Sequence, residues 1–320
     1  MADTETTPQE ATVAPLTDVE ALAAAISSAP PGTPLSETAL DSVLRSSSLK
    51  PIGLRPPIFD YIRQMWDRRY FALELSRARE ASDHAESRLG KAWSILNPLL
   101  NVAVYFLIFG VILKAHRSIP NYLAYLVIGV FFFTYTQKSI QAGAGSIVNN
   151  MALVRALHFP RALLPVSMVV EELLSLGWAL GVCIVVVLAT GEGISPAWLL
   201  LIPALLLQSS FNLGAAFVMA RMTERVRDVS QLLPFLLRTW LYLSGVVFPL
   251  GTFVKDVPPF IGFLLTFNPG AVFVELARDA LLTSYSVQPI IWVYGVFWAV
   301  FGLVAGFVYF WKAEERYGRG

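Results

Sequence analysis

Charge is what this sequence has least of. Asp, Glu, Lys and Arg make up 15% of its 320 residues, where a soluble domain carries about a quarter. The hydrophobic share is 55% and the mean hydropathy is +0.58. Too few charges remain to cover a water-facing surface, which indicates a membrane protein. The net charge of +1 gives no basic surplus for a polyanion, so no nucleic-acid partner is expected. Cysteine is nearly absent. Cys183 has no partner in the chain, which excludes an internal disulfide, and it reads as a small core or lipid-facing residue. His84, His116 and His158 fall in separate links, without Cys or carboxylates at metal spacing, so no metal site is expected. No GxxxxGK[ST] phosphate loop is present, because Gly90-Lys91 lacks the required earlier glycine. With no catalytic constellation either, the chain is expected not to be an enzyme and to carry no cofactor of its own.

The start, MADTETTPQE, has neither a basic n-region nor an apolar h-region and does not read as a signal peptide. Residues 1–57 are rich in Ala, Ser, Thr and Pro with a surplus of acid. They read as a disordered cytosolic tail, with a short helix near 17–27 from the capping-box spacing of Thr17 and Glu20. From residue 58 the pattern changes. Ile58, Ile62, Met65, Trp66, Tyr70 and Leu73 recur at helical spacing, with Arg63, Asp67, Arg68, Arg69 and Glu74 between them. This predicts an amphipathic helix over 58–85, suited to a membrane surface.

Six apolar runs follow, at about 92–113, 121–142, 162–189, 196–220, 229–250 and 289–311, each long enough for a hydrocarbon layer about 30 Å thick. The fold class is therefore all-α integral membrane, with the six-span domain over 86–320. Lys and Arg crowd the ends at 68–91, 138–161, 221–227 and 312–319 and thin out in the alternate links. The heavier side faces the cytosol, which puts both termini there and the chain in the plasma (inner) membrane. The long fifth link holds two apolar patches too short to span, one opened by Pro258-Pro259 and the two parted by Asn268-Pro269. They predict two short re-entrant helices in the outer leaflet.

Few charges enter the spans. Glu171 and Glu172 lie ten and eleven residues past Arg161, about 15 Å deep at 1.5 Å per residue. One reading is a proton site, the best support for an ion-coupled secondary flippase. The other is a structural pair nearer the interface. Gly177/Gly181 and Gly302/Gly306 have GxxxG spacing, which permits close helix approach. Tyr105, Phe109, Trp240 and Tyr242 offer flat faces on which sugars stack, or else meet lipid. Most puzzling is SRLGKAWSILNPLLNVAVYFLIFGVIL, Ser87 to Leu113, a membrane-length run with Asn97, Pro98 and Asn101 near its basic end.

That stretch resembles the start of the first span of ABC-2 type permeases exporting O-antigen, teichoic acid and related lipid-linked glycans. The likeness continues in order through Phe159-Pro160-Arg161 with Leu164-Pro165, Arg227-Asp228-Val229, and Asn268-Pro269 followed by Arg278. It covers about residues 58–320. It departs at DHAESRLG, where the family often has a Tyr-Arg-Gly-Ser run, and at Ser244-Gly245, where the family has Ser-Pro. The resemblance implies a homodimer of half-transporters that moves a lipid-linked polysaccharide. Two copies of a separate ATPase would carry the ATP and Mg. It implies an interface helix at 58–80 and a coupling helix with Asn150, Arg155, His158, Phe159 and Arg161. It also implies an outer gate with Pro258, Phe260, Asn268, Pro269 and Arg278. Asn97, Asn101, Tyr105, Phe109, Trp240 and Tyr242 would then line the glycan path, with Pro98 near the first turn of its helix. Arginine outnumbers lysine about threefold, which suits a high-GC genome and associates the cargo with an actinobacterial-type cell-wall galactan.

Overall fold

In the computed structural model, residues 56–83, 92–112, 119, 121–157, 159–253, 257–283, 285–286 and 288–317 are described. The tail reading of 1–57 lies outside them except at Pro56 and Pro57, and the 17–27 helix, His84, His116 and His158 lie outside them altogether. Every regular element among the described residues is helical. They are α1 (Ile58–Asp67), α2 (Arg69–Asp83), α3 (Ala92–Tyr105), α4 (Tyr122–Gly145), α5 (Met151–Ala156) and α6 (Leu163–Ala189), followed by α7 (Leu201–Arg225), α8 (Val229–Leu243), α9 (Leu250–Phe253), α10 (Pro259–Phe267), α11 (Pro269–Leu281) and α12 (Ile290–Trp311). Phe106–Ile112 prolongs α3 as a π-helix, and Pro196–Leu200 leads into α7 as a 3-10 turn.

Residue chemistry sets the boundaries. Asn121, at φ 52°, takes the left-handed conformation that Asn tolerates, and its side chain accepts from the Ala124 N–H to start α4. Pro259 and Pro269 each occupy a first helical position, where the missing N–H costs nothing. The predicted amphipathic helix breaks at Arg68 into α1 and α2. Pro98 lies well inside α3 rather than in its first turn. Without an N–H it cannot bond back to residue 94, so the ladder opens there.

Five helical stretches are long and apolar enough to cross a membrane: Ile95–Ile112, Tyr122–Gly145, Leu163–Ala189, Pro196–Arg225 and Ile290–Trp311. The fifth predicted run, 229–250, is shorter than expected. α8 has 15 residues, about 22 Å at 1.5 Å per residue, because Ser244 and Gly245 turn the chain, the glycine at φ 64°. α4 is the hub: 78% of its apolar stretch is buried inside the chain, against 17–33% for the other four. α3, α6, α7, α8 and α11 all pack on it. Cys183 is part of the core around α4 and fully buried.

α10 and α11 bend by 64° at Asn268. α11 runs antiparallel to α4. Gly270 lies beside Phe133 and Arg278 beside Gly129. Past the end of α11, Thr283 bonds to Glu192, which also holds Asn121 at the start of α4. Phe133 is twelve residues from Asn121, so the bend lies about 18 Å deep. The chain leaves α8 at Gly245, on the level of Arg278, and returns at Thr283. It departs and comes back on one side, as a re-entrant pair does.

The closest helix pair is α7 and α12. A Cβ on Gly214 would collide with the Gly302 carbonyl, and one on Gly306 with the Gly214 carbonyl. The Gly302/Gly306 pattern thus joins two helices of one chain, whereas Gly177 and Gly181 have nothing within 4 Å. Gly214→Ala should force the pair apart and cost about 1–3 kcal/mol. A lowered thermal midpoint of the detergent-purified chain is the expected result, with little change for Gly177→Ala.

Candidate functional site

Three groups of side chains bring distant parts of the chain together. The first sits at the basic end. Tyr61 of α1 donates to Glu314 Oε2 at 2.7 Å and accepts from the Ala162 N–H at 3.1 Å. The Arg161 N–H donates to Glu314 Oε1 at 3.1 Å, and the Arg161 guanidinium donates to the Glu314 carbonyl. One buried glutamate beyond α12 therefore ties α1 to the start of α6. Phe71 packs on Phe159 with ring centroids 5.2 Å apart, and Arg79 donates to the Asn150 side chain. Of the residues expected in coupling, Asn150, Phe159 and Arg161 face inward to α1, α2 or the tail. Arg155 is exposed, and so is Leu157, which is 50% accessible. Burial pushes the Glu314 carboxyl above the usual carboxylate range, an effect the bonds from Tyr61 and Arg161 only partly offset.

The second group joins the expected path to the expected gate. Trp240 of α8 donates from Nε1 to Asn268 Oδ1 at 2.6 Å, and Asn268 donates back to the Leu243 carbonyl at 3.0 Å. The same Oδ1 caps α11 through the Gly270 N–H. Trp298 of α12 donates to the Phe267 carbonyl at 2.7 Å. Two indoles thus hold the bend between α10 and α11. Tyr242 meets Tyr105 edge to face at 6.3 Å. Phe109 is half-buried near them in the α4 core, while Asn97 and Asn101 are exposed on α3 and turn away from their own chain. Pro258 and Phe260 are exposed at the start of α10.

The third group is Arg278, fully buried. All five of its N–H groups are used. Nε and Nη2 donate to the Tyr125 carbonyl, Nη2 also to the Val246 carbonyl, and Nη1 to the Gly245 carbonyl and Glu275 Oε1. The guanidinium carbon lies 3.3 Å from the centroid of the Tyr125 ring. Gly129 makes room for it, since a Cβ there would stand 2.5 Å from Nη2. Nearby, Glu192 accepts from Asn121 at 2.9 Å and from the Thr283 N–H and hydroxyl at 2.9 and 2.7 Å. Burial pushes the Glu192 carboxyl upward, but these bonds outweigh it and hold the group below the ordinary value.

No group of three His, Cys, Asp or Glu residues among the described residues could hold a metal ion. The geometry is that of helices fastened at both ends around a deep bend, with open amides on α3 and half-buried rings on α3 and α8. The ABC-2 type transporter profile matches residues 78–282. The chain belongs to the ABC-2 type transporter family. It is 27% identical over 226 residues to an O-antigen export system permease protein RfbA of Myxococcus xanthus, covering 70% of this chain and 82% of that one. A Klebsiella pneumoniae RfbA is 25% identical over 69% of this chain and 84% of its own. The polysialic acid transport protein KpsM of Escherichia coli is 26% identical over 71% and 87%. Like other ABC-2 transporters, the chain is a multi-pass membrane protein.

The expected sites do not form one cavity. The coupling residues lie at one end of this ABC-2 chain, and Trp240 with Asn268 lies about mid-depth. Sequence reading missed Tyr61, Glu192 and Glu314, each an ordinary residue in a helix, loop or tail until folding gives it partners far along the chain. It also left Lys138 and Glu172 apart, although both line a cavity of about 20 Å³ with Tyr135 and Ser175.

The raised pKa of Glu314 sets a sign. Between the ordinary carboxylate value and the raised one, the folded state binds the proton that the unfolded state has released. Stability therefore falls as pH rises through that window. Glu314→Gln should cost about 1 kcal/mol through one lost acceptor and should also flatten this fall. Thermal midpoints of both proteins from pH 4.5 upward check it; parallel curves would contradict it.

Proposed function

We propose that this chain is the transmembrane subunit of an ATP-driven exporter that carries a lipid-linked polysaccharide out of the cytosol across the inner membrane. The likeness to O-antigen and polysialic acid permeases over about 70% of the chain carries this reading. Two copies would form the path, with Asn97, Asn101, Tyr105, Phe109 and Tyr242 along it, while Trp240 would stand behind it, its indole N–H on Asn268 and its ring against Phe133 and Phe211. The amides and Tyr hydroxyls would take sugar hydroxyls and the rings the sugar C–H faces. The basic end faces the cytosol, and both termini lie there. The arginine bias suggests a cell-wall galactan as cargo.

ATP and Mg belong to a separate ATPase present in two copies. Its docking site is α5 with the turn that follows, where Arg155 and Leu157 are exposed. Phe159 faces α2 and would transmit motion rather than touch the partner. Arg155→Ala with Leu157→Ala should leave folding intact, because both lie outside the core, and should separate ATP hydrolysis from glycan export. Normal export by the double variant in reconstituted vesicles would remove α5 from the coupling role.

A second reading, an ion-coupled flippase, rests on Glu172 and Lys138 sharing a cavity between helices. Glutamine keeps the shape and hydrogen-bonding capacity of glutamate but carries no titrating proton. Transport by the Glu171→Gln, Glu172→Gln protein should persist at fixed ATP with the proton gradient collapsed. Transport that stops with the gradient and ignores ATP would overturn the ATP-driven reading.

A further inference from the structure

An open crevice of about 370 Å³ lies between α8 and α12, with α7 as its floor. Its lining consists only of apolar side chains, glycines and two tryptophans. Leu237 forms part of one wall, Ala305 part of the other, and Ala215 and Met219 part of the floor. The floor cannot rise to close it, because α7 and α12 already touch backbone to backbone at Gly214, Gly302 and Gly306.

The two ends differ in chemistry. At the inner end stands Arg221, one turn beyond Val218 of the lining. It is half-exposed, donates to the Tyr309 carbonyl, and its guanidinium lies 4.0 Å from the centroid of the Tyr309 ring. Exposed Lys312 follows Tyr309 by one turn. At the deep end are Trp240 and Trp298, the indoles whose N–H groups hold Asn268 and Phe267 at the re-entrant bend. An occupant would thus be apolar along its length and anionic at the basic end, and it would press on the groups that fix the bend.

We propose that this crevice holds the long hydrocarbon chain of the exported glycan's lipid anchor, with the anchor phosphate at Arg221. The inference rests on the reading of the chain as a permease for lipid-linked polysaccharide. Charge complementarity selects a chain that ends in phosphate. A second copy has another surface available: Leu232, Phe235, Leu236 and Leu243 are exposed elsewhere around α8, while Leu233, Leu237 and Trp240 face the crevice. The anchor in place would load Trp240 and Trp298 and so report its presence to the bend from which α10 hangs. α10 is suited to respond, because Gly262 is its one buried residue, whereas most of α11 is buried.

The full-length chain, with a photoreactive benzoylphenylalanine in place of Met219, is placed in phosphatidylglycerol nanodiscs with added polyprenyl monophosphate and irradiated. The expected product is a protein adduct with the mass of the polyprenyl phosphate. Arg221→Gln should weaken its formation about tenfold, and Arg221→Lys should recover most of it, since one charge-assisted phosphate contact is lost and regained. Ala215→Trp, which fills the floor, should abolish the adduct. Should that variant misfold, Ala305→Leu narrows the crevice from the opposite wall. An adduct with phosphatidylglycerol alone, a crosslink to a second copy, or no adduct would each overturn the proposal. Adduct formation indifferent to Arg221 would overturn the placement of the phosphate. ATP-dependent glycan export without the adduct would sink the crevice site and leave the permease reading standing. The adduct in a chain whose transport ignores ATP would do the reverse.

Discussion

Where α8 stops, the chain leaves carbonyls that no helix can satisfy, and Arg278 satisfies them. Inside a hydrocarbon layer an unpaired carbonyl costs several kcal/mol. The turn after Leu243 is therefore tolerated only because partners are built into neighbouring helices. Arg278 takes the carbonyls of Gly245 and Val246. The Tyr125 hydroxyl adds a second bond to Gly245, and the Tyr122 hydroxyl takes Val247. The guanidinium is itself costly to bury, and Glu275 and the Tyr125 ring offset its charge. Because Arg278 is on α11, the break in α8 and the placement of α11 become one structural fact. The re-entrant pair exists where it does because its second helix carries the donor that the broken span needs.

From that junction the fastening spreads along α11. Asn268 answers the last carbonyl of α8 and receives Trp240, and at the other end Thr283 reaches Glu192 and through it the start of α4. α11 is a fixed post between two anchored ends. α10, outside this set of bonds, hangs from the bend on the indole of Trp298 and its own aromatic contacts with α12. At the basic end Glu314 does for α1 and α6 what Arg278 does for α8 and α11. In both places one buried charged residue accepts or donates to several partners at once, so moving one helix strains the others.

The sequence by itself determined the solvent and the number of apolar runs. Runs of about 20 residues without charge have no other stable home than a bilayer or a large core, and Lys and Arg bias their ends. The prolines at 258, 259 and 269 marked helix starts correctly, because a fixed φ and a missing N–H act locally. Of the ordered short motifs that pointed to the family, Phe159-Pro160-Arg161, Arg227-Asp228-Val229 and Asn268-Pro269 stand where helices begin, where local geometry limits the choice of residue.

Tertiary structure alone decided what most of those residues do. Arg278 and Asn268 were legible as motif members, but their partners lie up to 153 residues away. Pattern reading cannot distinguish a pin from a gate. Gly302/Gly306 signalled close packing, yet only the fold shows that the partner is Gly214 of the same chain. Phe159 and Leu157 looked alike as apolar residues in a basic link, and packing turned one in and left the other out. Lys138 and Glu172, 34 positions apart in sequence, share a cavity because α4 and α6 run side by side. The physical reason is the same throughout. Hydropathy and backbone preference are local and readable, whereas the satisfaction of buried polar groups is a property of pairs, and the chain chooses those pairs only when it folds.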